Sequence, residues 1–290
     1  MSDADQFFRR ANAILDRLER YIPAHETVDL SAGTAWRWRK QANVGRLQSI
    51  DRFNPISLGE LQHIDHQKQE LIRNTRQFLQ GFPANNALLW GPRGTGKSSL
   101  VKAIFNTFSG QGLRLIEVER QDLVDLPEIV EHLDGSDGKF IVFCDDLSFD
   151  EQDSTYRALK VVLDGSILTT PDNLIIYATS NRRHLVAEKL SDNLDVQTVD
   201  GEIHQSEAVE ERISLSERFG LWLSFHPFNQ NDFLSIVDHW LEHFGASCTN
   251  KAAIRRAALQ WAMLHGSRSG RSAYQFAKDW AGRSALDEID

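Results

Sequence analysis

Residues Gly91-Pro92-Arg93-Gly94-Thr95-Gly96-Lys97-Ser98 fit the spacing G-x-x-x-x-G-K-[ST], a pattern suited to holding phosphate. Glycines let such a loop curl until backbone N–H groups and the N-terminus of the next helix face phosphate oxygens. Lys97 would bridge the β- and γ-phosphates, the Ser98 hydroxyl would ligate Mg²⁺, and Ser99 would follow in the first turn. Further along, Phe140-Ile141-Val142-Phe143-Cys144-Asp145-Asp146 is an apolar run closing on two carboxylates. At the carboxyl end of a strand Asp145 would hold the metal, directly or through water, and Asp146 would orient or deprotonate an attacking water. A third apolar run, Leu174 to Thr179, leads into Ser180-Asn181-Arg182-Arg183, where Asn181 would reach the γ-phosphate.

Those groups need a scaffold, and the chain alternates strand and helix signals as a parallel sheet covered on both faces requires. The expected strands are Ala87–Trp90, Arg114–Val118, Phe140–Cys144, Leu174–Thr179 and Leu221–Phe225. All but the second are nearly continuous apolar runs, as strands buried on both faces are. The phosphate-loop pattern lies between the first strand and the periodic segment SLVKAIFNTF, the strand-loop-helix context its chemistry needs. After Pro227 only amphipathic helices follow: Asn229–Phe244, Lys251–His265 and Arg271–Ala281. Before Phe53 the chain also reads as helical, with a polar break near Ala24–Thr34. The expectation is therefore an α/β fold: a helical N-terminal arm at 1–53, a domain with a five-stranded parallel sheet sandwiched by helices at 54–227, and a helical lid at 228–290.

Composition sets outer limits. With 290 residues, 41% of them hydrophobic, the chain can bury a large core. Its 41 Asp and Glu against 32 Lys and Arg, a net charge of −9, argue against nucleic-acid binding through the whole surface. No apolar run approaches the roughly 20 residues a bilayer crossing takes, and the first residues lack the layout of a secretory signal, so a cytosolic protein is expected. Cys144 and Cys248 are too few for a disulfide framework or a zinc site. His239 and His243, spaced i, i+4, lack a third ligand and read as a surface pair.

With GPRGTGKS, FIVFCDD and ATSN in place, followed by Ser216-Glu217-Arg218-Phe219-Gly220 before a strand and Gly266-Ser267-Arg268-Ser269-Gly270-Arg271 in the lid, the sequence resembles the AAA+ ATPases from about Asn54 to Ala281. More narrowly, DDLSF, ISLSERFGLWLSF and GRSAYQF resemble a bacterial family of predicted AAA+ ATPases known by a domain-of-unknown-function label. The resemblance implies a P-loop ATPase fold in which Lys97 and Ser98 take the phosphate and Mg²⁺ roles, Asp145 the second metal role and Asn181 that of first sensor. It implies that Arg218 is an arginine finger reaching a neighbouring subunit's γ-phosphate, and that Arg271, with Arg268 the alternative, is the second sensor. It also places adenine against the segment Leu58–Asp65, with Leu61 and Ile64 flanking it.

One departure bears on turnover. The AAA+ acidic strand usually ends in Glu, whereas Asp146 is shorter by one methylene, and a water-positioning base needs hydrogen-bond reach of about 2.6–3.2 Å. Asp150 and Glu151 are nearby helpers. The segment between the second and third strands has room for about one helix and lacks the aromatic loop of a protein unfoldase. No appended module reads DNA sequence. Trp36-Arg37-Trp38-Arg39-Lys40, with Arg46 beyond, interleaves rings and cations as single-stranded nucleic-acid binders do, but reads better as tryptophans packed on the core with wet charges. The acidic stretch from His184 to Ser214 reads as a switch segment, a partner-binding or subunit surface beside Arg218, or a merely disordered insertion. The expected protein binds and hydrolyses ATP with Mg²⁺ at a homo-oligomer interface and acts on a protein partner, nucleic acid being less favoured and a membrane excluded. The alternatives are a nucleotide-dependent switch or loader with negligible hydrolysis and a small-molecule kinase.

Overall fold

The computed structural model describes residues 33–41, 44–53, 55–149, 154–164, 171–183, 197–199, 202–204, 215–246 and 250–287, together with Phe7, Arg10, Asn12, Leu30 and Leu185. Asp150, Glu151 and most of the 184–214 stretch lie outside the described residues.

A seven-stranded sheet organises the chain: β1 (Ala35–Gln41), β2 (Val44–Ser49), β3 (Ala87–Trp90), β4 (Leu113–Val118), β5 (Lys139–Cys144), β6 (Leu174–Ser180) and β9 (Leu221–Ser224). Their spatial order is β2-β1-β4-β5-β6-β3-β9, and every neighbouring pair is parallel except β1 with β2. The five expected strands are all present, with bounds that differ by one residue at most. Two short strands, β7 (Gln197–Val199) and β8 (Glu202–His204), form a separate antiparallel pair.

Residues 35–41 and 44–49 correct the expectation of helix in this part of the arm. They form the β1–β2 hairpin, which adds two strands at the β4 edge. The reason is local: Trp36 and Trp38 alternate with Arg37 and Arg39, a period of two that sends rings to one face and cations to the other. Both indoles are 1% exposed. The Trp38 ring covers Gly45, where an added Cβ would sit 1.9 Å from the indole.

Helices cover both faces of the sheet. On one lie α1 (Asp65–Leu79) and α2 (Lys97–Phe108), packed through Leu71, Phe78, Leu100 and Ile104 on Leu89, Leu115, Ile141 and Ile175. On the other lie α3 (Leu126–Leu133) and α4 (Ser154–Asp164), with Leu126, Ile129 and Leu159 against Leu88, Ile116, Val142 and Ile176. The alternation along each strand divides the core into these two layers. Tyr177 adds a buried polar lock, its hydroxyl 2.8 Å from Thr75 Oγ1 and accepting from Asn74 Nδ2 at 3.1 Å, which holds α1 against β6. Three helices follow β9: α5 (Gln230–His243), α6 (Lys251–Leu264) and α7 (Gly270–Asp287). The Asn229 and Asn250 side chains cap α5 and α6 by accepting from the Asp232 and Ala253 amides. Among the described residues, no helix is long and apolar enough to cross a membrane.

Candidate functional site

Parallel register brings three loops to one level. Trp90 of β3 pairs with Ser180 of β6, and Cys144 of β5 pairs with Ala178, so residues 91, 145 and 181 leave the sheet side by side. Ligands in open parallel sheets bind at these carboxyl ends. Gly91 donates its amide to the Ser180 carbonyl at 3.1 Å, fixing the start of the phosphate loop against β6. At Gly91, φ is 141° and a Cβ would meet the Phe225 carbonyl at 2.2 Å; at Gly94, φ is 75° and a Cβ would meet Ser269 at 2.7 Å. The loop's path therefore demands glycine at both positions.

Inside the loop, Lys97 is 6% exposed and folds back on neutral oxygens: the Gly91 carbonyl at 2.6 Å, the Pro92 carbonyl at 2.8 Å and Asn181 Oδ1 at 3.2 Å. Burial pushes its ammonium down to about 8; Asp146 and Asp145 oppose that shift, and Arg93 and Arg271 reinforce it. Ser98 Oγ and Thr179 Oγ1 both donate to Asp145 Oδ1 at 2.6 Å, and Thr179 Oγ1 accepts the Asp146 amide at 2.9 Å. One hydroxyl and one carboxylate thus already face each other as hard oxygen donors that suit Mg²⁺. Thr179 was missed in the sequence, although its place beside Asn181 at the end of an apolar strand was visible.

Asp146 has φ 53°, in the left-handed region that Asp enters more readily than most side chains. This backbone gives the shorter acid at that position a physical reason. Its carboxylate accepts a hydrogen bond from Asn181 Nδ2 and lies 3.5 Å from Arg93, whose side chain is 78% exposed. Cys144, just before the acids, is fully buried, and its thiol is pushed up to about 12 by that burial.

The loop opens onto a cleft of about 810 Å³, within the range of ligand pockets. Arg93, Gly94, Thr95, Gly96, Lys97, Ser98, Ser99, Asp145, Asp146 and Asn181 all line it; Gly91 and Pro92 stand behind the loop as acceptors for Lys97. Leu61 and Ile64 line the apolar end, 8% and 4% exposed. Phe228, Ile236, Trp240 and Tyr274 also line it; the last three fall within helices read from their periodicity, with no site role expected of them. Arg271 lines the cleft and Arg268 is absent from its described lining; the Gly270 amide donates to the Gly94 carbonyl at 2.8 Å, joining α7 to the phosphate loop. Arg218 is not brought to the cleft. It follows the turn Leu215-Ser216-Glu217, and its Nε donates to Asp164 at the end of α4.

The nucleic-acid-like segment is spent internally. Arg37 pairs with Glu117 at 2.5 Å, Arg39 with Glu119 at 2.8 Å and Lys40 with Asp125 at 2.6 Å, while Trp38 Nε1 donates to Asp125 at 3.1 Å.

The sheet order and the loop at its carboxyl ends give the chain a P-loop fold of the AAA+ type. Thermotoga maritima RuvB, as a mutant, superposes with a TM-score of 0.51 at 15% identity, covering 78% of this chain and 65% of that one. The replication initiator DnaA bound to AMPPCP and single-stranded DNA gives 0.50 at 17% identity, covering 79% and 65%. In sequence, the replication factor C large subunit of Sulfolobus acidocaldarius is 30% identical over 111 residues, 38% of this chain and 25% of that protein. The match therefore spans about a quarter of the length of that curated relative. The family described as "Protein of unknown function (DUF815)" matches residues 31–284, and the chain belongs to it.

Proposed function

We propose that the protein binds ATP with Mg²⁺ in this cleft and hydrolyses it at a contact between subunits, using the cycle to move its lid against a protein partner. The observation that carries this reading is the joint placement of Lys97, Ser98, Asp145 and Asn181 around one loop whose glycines leave backbone donors facing the cleft. Mg²⁺ bound by Ser98 and Asp145 would draw charge from the phosphates. The chain's own residues do the rest. Lys97 leaves the Gly91 and Pro92 carbonyls for phosphate oxygens, Asn181 and Asp146 orient water, and Arg271 approaches from the lid. Arg218, which pairs with Asp164 and is not among the residues lining its own cleft, would serve a neighbour's site.

A switch with negligible hydrolysis is the second reading. It is favoured by the Asp146 carboxylate accepting from Asn181 and lying 3.5 Å from Arg93, contacts that compete with a water for its oxygens. Phosphate release measured over a protein concentration series separates the two. Specific activity that rises with concentration and falls at least about a hundredfold in both Lys97→Ala and Arg218→Ala supports the shared-site ATPase. Turnover untouched by Arg218→Ala overturns the finger, and ATP binding without turnover selects the switch.

A further inference from the structure

The two apolar walls of the cleft come from distant parts of the chain, Leu61 and Ile64 before α1 and Ile236 and Trp240 on α5. Whether they close on one flat ligand depends on what seats α5 against the first wall. His63 makes that connection. Its Nε2 lies 3.1 Å from Ser235 Oγ and its Nδ1 3.4 Å from Asp232 Oδ1, both on α5, and its ring meets Phe228 edge-on at 6.5 Å. At the other end of α5, His243 Nδ1 stands 4.0 Å from Glu60 Oε1. The His63 backbone has φ 61°. Glycine would make that turn without strain, so the turn itself does not call for an imidazole. With Nδ1 protonated, its N–H faces the Asp232 carboxylate while Nε2 accepts a hydrogen bond from the Ser235 hydroxyl.

We propose that His63 is a positioning residue: by joining Asp232 and Ser235 it seats α5, and with it Ile236 and Trp240, over Leu61 and Ile64, so that the nucleotide base is gripped while this tie holds. The proposal rests on the cleft being a nucleotide site. His243 and Glu60 form a longer, weaker tie at the far end of the same helix.

The test is titration of the full chain with mant-ATP and Mg²⁺, beside the nucleotide-free melting temperature. His63→Gly keeps the left-handed turn and removes the tie. It is expected to weaken binding about five- to tenfold while leaving the melting temperature unchanged or higher. His63→Asn tolerates the same backbone and sets an amide nitrogen near the Nδ1 position, so it should recover much of the loss. Ser235→Ala cuts the tie from the helix side and should cost about two- to threefold. Equal affinity in the native protein and His63→Gly overturns the proposal, as does a loss matched by a collapse of the melting temperature. A native protein that binds no mant-ATP overturns the nucleotide reading as well, which tells the two failures apart.

Discussion

Two lysines show how this chain separates cations that hold the fold from a cation free to meet a ligand. Lys40, on the hairpin, donates to the Asp125 carboxylate, and that hydrogen bond raises its pKa above the usual lysine value. Lys97, in the phosphate loop, donates only to neutral oxygens, and burial brings its pKa down to about 8. A cation matched by a carboxylate has its charge spent within the fold. A cation satisfied by carbonyls keeps charge unneutralised, and a phosphate can take over its bonds. Around Lys40 the pattern continues through Arg37 and Arg39, whereas near Lys97 the carboxylates of Asp145 and Asp146 are engaged by Ser98, Thr179, Asn181 and Arg93 instead of by the lysine.

The comparison breaks most severely if the hairpin is a binding surface instead of a structural one. Gly45→Ala would place a Cβ 1.9 Å from the Trp38 ring and force the indole out of its site. By analogy with the loss of a buried tryptophan, the expected cost is about 3–5 kcal/mol in a urea unfolding curve. A variant of native stability would show that the indole is not committed to the core. The pH dependence of Lys97 comes next. Because its folded value lies below the ordinary lysine value of 10.5, the unfolded chain holds the extra proton between about 8 and 10.5. Its contribution to nucleotide-free stability therefore rises with pH across that window. Nucleotide affinity moves the other way: mant-ATP binding should weaken about tenfold between pH 7.5 and 9.5, and Lys97→Met should flatten both trends. The smallest effect is assigned to Lys40→Ala, which should leave mant-ATP and poly-dT binding within about twofold of native. A larger drop in poly-dT binding would put the hairpin on the nucleic-acid side of the divide.

Much of the cleft's phosphate end was legible in the sequence because its chemistry is local. Gly91 to Ser98 are consecutive, and Asp145 and Asn181 each close an apolar strand whose type could be read from composition. The β1–β2 hairpin was misread for a physical reason as well. Trp36 to Lys40 carries a period of two that fits a half-buried strand, and its tryptophans were read as packed on the core, but the segment was placed in a helical arm, and whether its cations stay in water or pair depends on Glu117, Glu119 and Asp125. Those partners lie some 80 residues away in the chain. The apolar end of the cleft was hidden in another way. Ile236 and Trp240 occupy buried positions and Tyr274 a more exposed one on amphipathic helices, and a helical period does not say whether the facing surface is protein or a space for a ligand. The left-handed backbones of His63 and Asp146 had no local signal beyond residue types that tolerate them.

Gly270 opens α7, so its amide has no acceptor within the helix, and its proton goes to the Gly94 carbonyl in the phosphate loop. Solvent deuterium can replace that proton only when the two parts separate. The exchange rate of this one amide is therefore a counter of lid openings, independent of any catalytic readout. A ligand that spans the loop and α7 slows it by the factor by which it suppresses those openings, so a single backbone hydrogen would read out the motion that the proposed nucleotide cycle requires.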